Sequence, residues 1–337
     1  MPGFDAIIDQ ERPIRVLTSL LTSGKIPHGL LFTGIEGIGK RTAATAFAMA
    51  CNCTGRLAEE RAGAEACGEC PPCRKIAMDR HPDVLRVSPS GQQIKIGQIR
   101  DLCQSLAMKS YEARMRVAIL AEAHRMNPAA GNALLKMLEE PPPGTVLILT
   151  APQPADLPPT IVSRCQHIRF KPISRNHLAA MLTAAYGFSP QEAALTAALA
   201  NGSVTRALAM QRRRWIQRRN WIMSELAELP SQPAASLLAL AERMSQAKED
   251  IPEIIDMMAS WVRDVAVARH CPDRIIHQDL RNQILSASRR TDVPSLVQAT
   301  GALAEARRRI QANANPRLAL EALLVKMASA LQAPVSG

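Results

Sequence analysis

Residues 114–172, RMRVAILAEAHRMNPAAGNALLKMLEEPPPGTVLILTAPQPADLPPTIVSRCQHIRFKP, carry two hydrophobic periods in alternation, and this narrows the possible folds more than any other stretch. Val117 to Leu120 and Val146 to Leu149 are short apolar runs, partly β-branched and bounded by turn residues, as strands buried on both faces are. Between them Ala133, Leu134, Met137 and Leu138 recur at helical spacing. The helix ends at Glu139-Glu140-Pro141-Pro142-Pro143, because proline lacks an N–H donor and restricts the residue before it. Strand, helix, strand is a βαβ unit, and it predicts an α/β core with a parallel sheet.

A second strand-to-helix passage lies upstream. A helix over Glu11 to Ser23 precedes the apolar strand Gly29 to Thr33, which feeds the turn Gly34-Ile-Glu-Gly37-Ile-Gly39-Lys40-Arg41-Thr42 and an alanine-rich helix to about residue 50. G-x4-GK between a strand and a helix is the setting of a P-loop, where backbone N–H groups and a helix N-terminus cradle phosphates. Gly34, Gly37, Gly39, Lys40 and Thr42 are the candidate nucleotide-binding residues. The residue after the lysine should offer a magnesium-binding hydroxyl, but Arg41 stands there and Thr42 comes one step late. One helical step turns a side chain by roughly 100°, so Thr42 is not expected to replace it. ATP or ADP held by loop amides and Lys40, or an inherited loop with no ligand, both remain open at this point.

Eight cysteines are present, five of them between Cys51 and Cys73. Cys53, Cys67, Cys70 and Cys73 form C-x13-C-x2-C-x2-C, in which two C-x2-C steps gather three thiolates and an upstream cysteine closes a four-thiolate zinc site. Cys51 competes with Cys53 for the first position. The expected role is structural Zn2+ in a small module at about 51–75, since such a module gains its fold from the metal. A zinc ribbon that reads nucleic acid is the sharper alternative, weakened by the lack of aromatics for stacking. His81 is read as structural, because four thiolates already close the site.

A chain of 337 residues suggests two or three domains. Hydrophobic content of 47% with aromatics at only 3% favours helices over β-sandwiches. A formal charge of +11 is compatible with a polyanionic partner such as DNA, with a basic proteome or a solubility bias as the blander reading. No apolar run approaches the ~20 residues that span a bilayer. The start, MPGFDAIIDQERP, has early acids and no signal pattern, so a cytoplasmic chain with no membrane partner is expected.

The ordered run GNALLKMLEEPPPGTVLILTAPQPADLPPTIVSRCQ resembles the AAA+ core of bacterial clamp loaders, the delta-prime and gamma/tau group of DNA polymerase III subunits. The zinc cysteines, the phrases HPDVLRV and IKIGQIRDL, GSVTRAL at 202–208 and NANPRLALEALL at 313–324 extend the likeness over most of the chain. The resemblance implies an AAA+ P-loop core at 1–172 with an inserted zinc module, a helical lid at 173–211 and an all-α collar at 212–337. It also implies an Asp-Glu pair where this chain has Ala121-Glu122, so Glu122 is left as a degenerate acidic site. Arg164, in Ser163-Arg164-Cys165, is implied to be an arginine finger acting in trans on a neighbouring ATPase subunit. Arg206 matches a sensor-2 arginine that either approaches bound phosphate or holds the lid to the core.

Those departures are delta-prime-like. The resemblance implies a stator or scaffold subunit with weak or absent ATPase of its own, not catalytic alone but part of the DNA polymerase holoenzyme. Its implied partners are gamma/tau and delta subunits, the sliding clamp, and primed DNA through the assembled ring. A catalytic gamma/tau-type ATPase and a free-standing zinc-containing DNA-binding module are the rival readings. Arg212, Arg213, Arg214, Arg218 and Arg219 crowd around Trp215, either as a phosphate-contacting patch or as a solvated helix face with a packed tryptophan.

Overall fold

Five short apolar runs become the strands β1 (Gly29–Thr33), β2 (Val84–Val87), β3 (Arg116–Leu120), β4 (Thr145–Ala151) and β5 (Gln166–Arg169). They pair in parallel in the order β2-β3-β4-β1-β5. The computed structural model describes residues 3–55, 65–212, 215–246, 250–312 and 314–332, and it divides into two compact units, 1–207 and 208–337. The loop at 56–64, Arg213, Arg214 and Asn313 of the sequence reading lie outside the described residues.

In the first unit the two-residue period of a strand sorts side chains onto two cores. Leu30, Phe32, Val117, Ile119, Val146 and Ile148 face one side, where α1 (Glu11–Ser23), α2 (Lys40–Asn52) and α3 (Pro71–Ala77) contribute Leu17, Phe47 and Ile76. Leu31, Ala118, Leu120, Leu147 and Leu149 face the other, against Ile99 and Leu102 of α4 (Ile96–Ala107), Leu134 and Leu138 of α5 (Pro128–Glu139), and Ile161 of α6 (Pro159–Val162). Three helices follow in the same unit: α7 (Arg175–Tyr186), α8 (Pro190–Leu199) and the start of α9 (Val204–Arg212). The division at 207/208 falls inside α9.

Two buried polar side chains lock the way into β3. Asn52, at the end of α2, donates to the Ala48 and Met115 carbonyls and accepts the Arg114 and Met115 N–H groups, each at 2.9 to 3.1 Å. The Asp83 carboxylate accepts the N–H groups of Tyr111, Glu112 and Ala113. Burial opposes the charge, but these N–H groups prevail and hold the carboxyl below its ordinary range.

The second unit is helical throughout its described residues: α10 (Trp215–Glu228), α11 (Ala234–Ser245), α12 (Ile251–Ala268), α13 (Arg281–Arg290), α14 (Val293–Gln311) and α15 (Pro316–Gln332). Here the arginine reading needs correcting. Arg212 ends α9 while Arg218 and Arg219 lie on α10, and Arg219 is 1% exposed rather than part of a solvated face. Its guanidinium pairs with Asp279 and donates to Asn220, while Arg218 pairs with Asp250. Among the described residues no helix is long and apolar enough to cross a membrane.

Arg219 also donates to His277 Nδ1 at 3.3 Å, and the ring meets Ser260 Oγ through Nε2 at 2.9 Å. Since Ser260 donates onward to the Met257 carbonyl, the partners assign a neutral imidazole with its proton on Nε2. Burial first, and then the charge of Arg219, pull His277 down to about 4 against the opposing charge of Asp264. A proton added at Nδ1 would face the guanidinium. Because the folded value lies below the ordinary 6.5, this network stabilises the fold fully above pH 6.5 and progressively less as pH falls toward 4. All three tryptophans, Trp215, Trp221 and Trp261, lie in this unit, so their fluorescence reports on it alone. Urea melts of the full chain followed by that signal are expected to lose about 2 kcal/mol between pH 7 and pH 5, and His277→Gln should remove most of that dependence.

Candidate functional site

β1 is hydrogen-bonded by β4 on one side and β5 on the other, so the turn after Thr33 opens at the C-terminal edge of a parallel sheet, between neighbouring strand ends. Gly34, Gly37 and Gly39 all have positive φ there, and α2 starts at Lys40. A Cβ on Gly37 would meet Ser203 Oγ and the Thr205 nitrogen at 2.6 Å, and the Gly37 carbonyl accepts the Val204 N–H at 2.9 Å. The segment that begins α9 is thus seated on the loop, as a bare backbone permits. Ser203 Oγ accepts the Arg206 N–H at 3.1 Å, which places Arg206 in the first turn of α9; Val204 and Thr205 line the cleft beside the loop.

That cleft has a volume of about 630 Å³. Its walls include Ile7 and Ile8 from the N-terminal segment, the loop with Lys40, Arg41 and Thr42, then Ala121 and Glu122 after β3, Thr150 at the end of β4, and Tyr186 of α7. Lys40 bends back on its own loop: the ammonium donates to the carbonyls of Gly34 and of Ile35, the latter at 2.6 Å. Burial pulls it down to about 8, opposed by the charges of Glu36 and Glu122. Arg41 and Thr42 both line the space. Ala121, beside Glu122, offers the cleft only a methyl group.

Glu122 sits in a left-handed backbone conformation, φ 53°, with its N–H donated to Thr150 Oγ1 at 2.9 Å and its carboxylate 3.3 Å from Arg125. The cleft is therefore positive for its size, with Lys40, Arg41 and Arg125 facing Glu36 and Glu122. Sequence reasoning missed Thr150, Arg125 and His124, whose Nδ1 is buried without a hydrogen-bond partner. Thr150 could have been found from its place at the C-terminal end of a parallel strand. His124 and Arg125 carry no such signal, since a 3-10 turn at 123–125 brings them in.

Arg164 lies at the opposite edge of the sheet. An added Cβ on Gly29, the first residue of β1, would come within 2.9 Å of the Arg164 carbonyl, whereas the glycine loop leaves β1 at Thr33. Four strand steps at ~3.3 Å each put about 13 Å between those two ends. The guanidinium pairs with Glu139 at 2.6 Å and donates to the Thr160 carbonyl at 2.9 Å. Cys165 beside it is a half-buried thiol, pushed up to about 11 by loss of solvent.

The sulfurs of Cys53, Cys67, Cys70 and Cys73 all lie within 4.8 Å of one another, with Cys53 and Cys70 at 4.0 Å. Tetrahedral zinc at ~2.3 Å from each thiolate needs sulfurs ~3.8 Å apart, so the spacing fits. Backbone N–H groups of Cys67 and Cys70 point at the sulfurs of Cys53 and Cys67, at 3.3 and 3.4 Å. Such donors favour thiolate: the Cys70 and Glu69 backbone holds Cys67 below the usual thiol range, and against the push of burial, bonds from Thr54 and Cys73 bring Cys70 down to about 6. A Cβ on Gly55 would strike the Cys67 sulfur at 2.6 Å, so only glycine leaves that sulfur in place. Cys51 stands apart from the cluster, its thiol pushed up to about 12 by burial. His81 is buried with Nδ1 accepting the Asp83 N–H, and takes no part in the cluster.

Comparison with known proteins gives the same family along both units. Residues 9–174 match the family described as DNA polymerase III, delta subunit, and residues 213–329 match the family of its C-terminal part. The delta' subunit of DNA polymerase III from Pseudomonas aeruginosa is 31% identical over 309 residues, covering 90% of this chain and 92% of that protein. The delta' subunit of Bacillus subtilis is 29% identical over 323 residues, covering 94% and 96%. The tau subunit of Escherichia coli is 32% identical over 212 residues, which is 61% of this chain and 32% of that protein. The chain belongs to the delta' family of DNA polymerase III, and it is a clamp-loader subunit that serves DNA replication.

Proposed function

We propose that this subunit acts as a stator which supplies Arg164 to the ATP site of an adjacent gamma/tau-type subunit while the assembly loads the sliding clamp onto primed DNA. One observation carries this reading: Arg164 stands at the edge of the sheet away from its own phosphate loop. A guanidinium about 13 Å of strand removed from Lys40's loop is badly placed to serve that loop, and well placed to serve a neighbour's. At a transferring phosphoryl group a planar, permanently charged fork stabilises the charge that builds on the oxygens. The chain's own cleft supports the same division of labour. Arg41 and Ala121 leave it without the hydroxyl and the carboxylate that would hold magnesium. Residues 1–172 then form the core that presents Arg164, 173–211 its lid, and 212–337 the collar that packs with gamma/tau and delta subunits in the cytoplasm.

Within the core, Cys53, Cys67, Cys70 and Cys73 hold a structural Zn2+, which ties the end of α2 to the start of α3. Bound zinc would supply a crosslink in place of an apolar core that so small a segment cannot build. A catalytic gamma/tau-type ATPase is the second reading, favoured by the intact Gly34, Gly37, Gly39 and Lys40 and by a cleft of about 630 Å³ able to admit ATP or ADP, with Thr42 and Arg206 nearby.

Hydrolysis separates the two readings. The isolated chain is expected to turn over ATP no faster than buffer, and Lys40→Ala to change nothing; robust turnover lost in that variant would establish the catalytic reading instead. In a complex reconstituted with gamma/tau and delta partners, Arg164→Ala should assemble normally yet lower DNA-stimulated ATPase at least about tenfold. Unchanged activity there would remove the trans role. Metal analysis of the purified chain should find one zinc per chain, lost in Cys70→Ser together with much of the thermal stability of the first unit; protein free of zinc but equally stable would rule out the metal.

A further inference from the structure

We propose that Glu139 is the positioning residue for Arg164, holding its guanidinium in a set rotamer before a neighbouring subunit's nucleotide arrives. The proposal rests on the reading of Arg164 as a residue that acts in trans. Glu139 is the last residue of α5, the helix that runs back to the N-terminal edge of the sheet. Its carboxylate is 2.6 Å from Arg164 Nη2, while Nη1 is 2.9 Å from the Thr160 carbonyl in α6. Two acceptors from different helices thus grip the two ends of one fork. The negative end of the α5 dipole adds to the attraction, since a cation is favoured at a helix C-terminus.

The backbone under this pair has little room to move. A Cβ on Gly29 would touch the Arg164 carbonyl at 2.9 Å, Cys165 Sγ at 3.0 Å and Leu138 Cδ2 at 3.2 Å, so β1, the end of α5 and the turn at 163–165 meet in direct contact. Glu139 follows Leu138, and its distance to Arg164 is therefore set by the packing of the sheet rather than by a flexible loop. Such rigidity matters because a free arginine loses much rotamer entropy when it is immobilised on a phosphate. An arginine already held has less to lose, which is the gain that preorganisation brings to a transition state.

The grip also leaves the fork usable. A guanidinium has five N–H donors, of which Glu139 and Thr160 engage two and Ser163 Oγ, 3.4 Å from Nη1, at most a third. The side chain is 36% exposed and the carboxylate 48%, so a polyphosphate can reach the remaining donors, and a pair so exposed to water is weak enough to be shared or exchanged. A buried pair would have withheld the arginine. This one orients it.

The test uses the reconstituted clamp loader with its gamma/tau and delta partners and primed DNA. Glu139→Ala and Glu139→Gln are expected to lower the ATPase kcat about threefold to tenfold with KM for ATP nearly unchanged, and Glu139→Asp to recover part of the loss. In the Arg164→Ala background, Glu139→Ala should have no further effect, because the carboxylate acts only through the guanidinium. Full activity in Glu139→Ala beside a strong defect in Arg164→Ala would overturn the positioning role and leave the trans role standing. Activity above that of the unaltered complex would also overturn it, by showing a carboxylate that withholds the arginine. If Arg164→Ala itself is fully active, the reading beneath the proposal fails. A further loss in the double variant, or failure of Glu139→Gln to assemble by gel filtration, would mark Glu139 as structural and sink the proposal.

Discussion

Everything in the first unit depends on β1 being paired on both sides by strands that come more than a hundred residues later. Gly29 is in register with Leu147 and Leu30 with Gln166, so a segment near the start of the chain becomes interior to a sheet completed by the end of the core. Since all five strands run parallel, their C-terminal ends share one edge and their N-terminal ends the other. The glycine loop, Ala121, Glu122 and Thr150 gather on the first edge; Gly29, the end of α5 and Arg164 gather on the second. One topological fact thereby sorts the chain's charged chemistry into two places that cannot serve each other.

The electrostatics of the two edges differ in kind. At the glycine loop a half-buried ammonium bonds to loop carbonyls and is pulled down to about 8, in a cleft whose acids are outnumbered by bases. Such a site suits an anion, and it has no carboxylate at position 121 to hold a divalent cation beside one. At the other edge the guanidinium lies in a half-open setting, partnered by groups that water can reach. Low dielectric makes the first environment costly to rearrange, while the second can exchange partners easily. The helical unit shows the opposite use of an arginine: Arg219 is buried and saturated by Asp279, Asn220 and His277, and there the charge pins a loop between α12 and α13.

How much could be seen beforehand follows from how local each feature is. The βαβ unit, the helix Glu11–Ser23 and the strand before the glycine turn were legible because period and turn chemistry are properties of neighbouring residues. The four cysteines were legible because ligand spacing on a tight turn is local too, and even the choice of Cys53 over Cys51 needed only the end of α2 to be known. Arg219 was not legible. Its run of arginines looks like a solvated face, and the carboxylate that lets it be buried lies sixty residues away at Asp279. Glu139 was read only as the end of a helix, since nothing in LEEPP announces a partner that follows the next strand.

The amino-acid sequence by itself determined which segments form strands and helices, that a glycine loop and a cysteine cluster exist, and that positions 41 and 121 carry an arginine and an alanine, because each of these is decided by residue type within a few positions. Only the tertiary structure decided that the glycine loop and Arg164 stand at opposite edges of one sheet, that Glu139 pairs with that arginine, and that Arg219 is buried. Those relations depend on strand order and on packing between residues distant in the chain, and side-chain chemistry read one segment at a time carries no record of either.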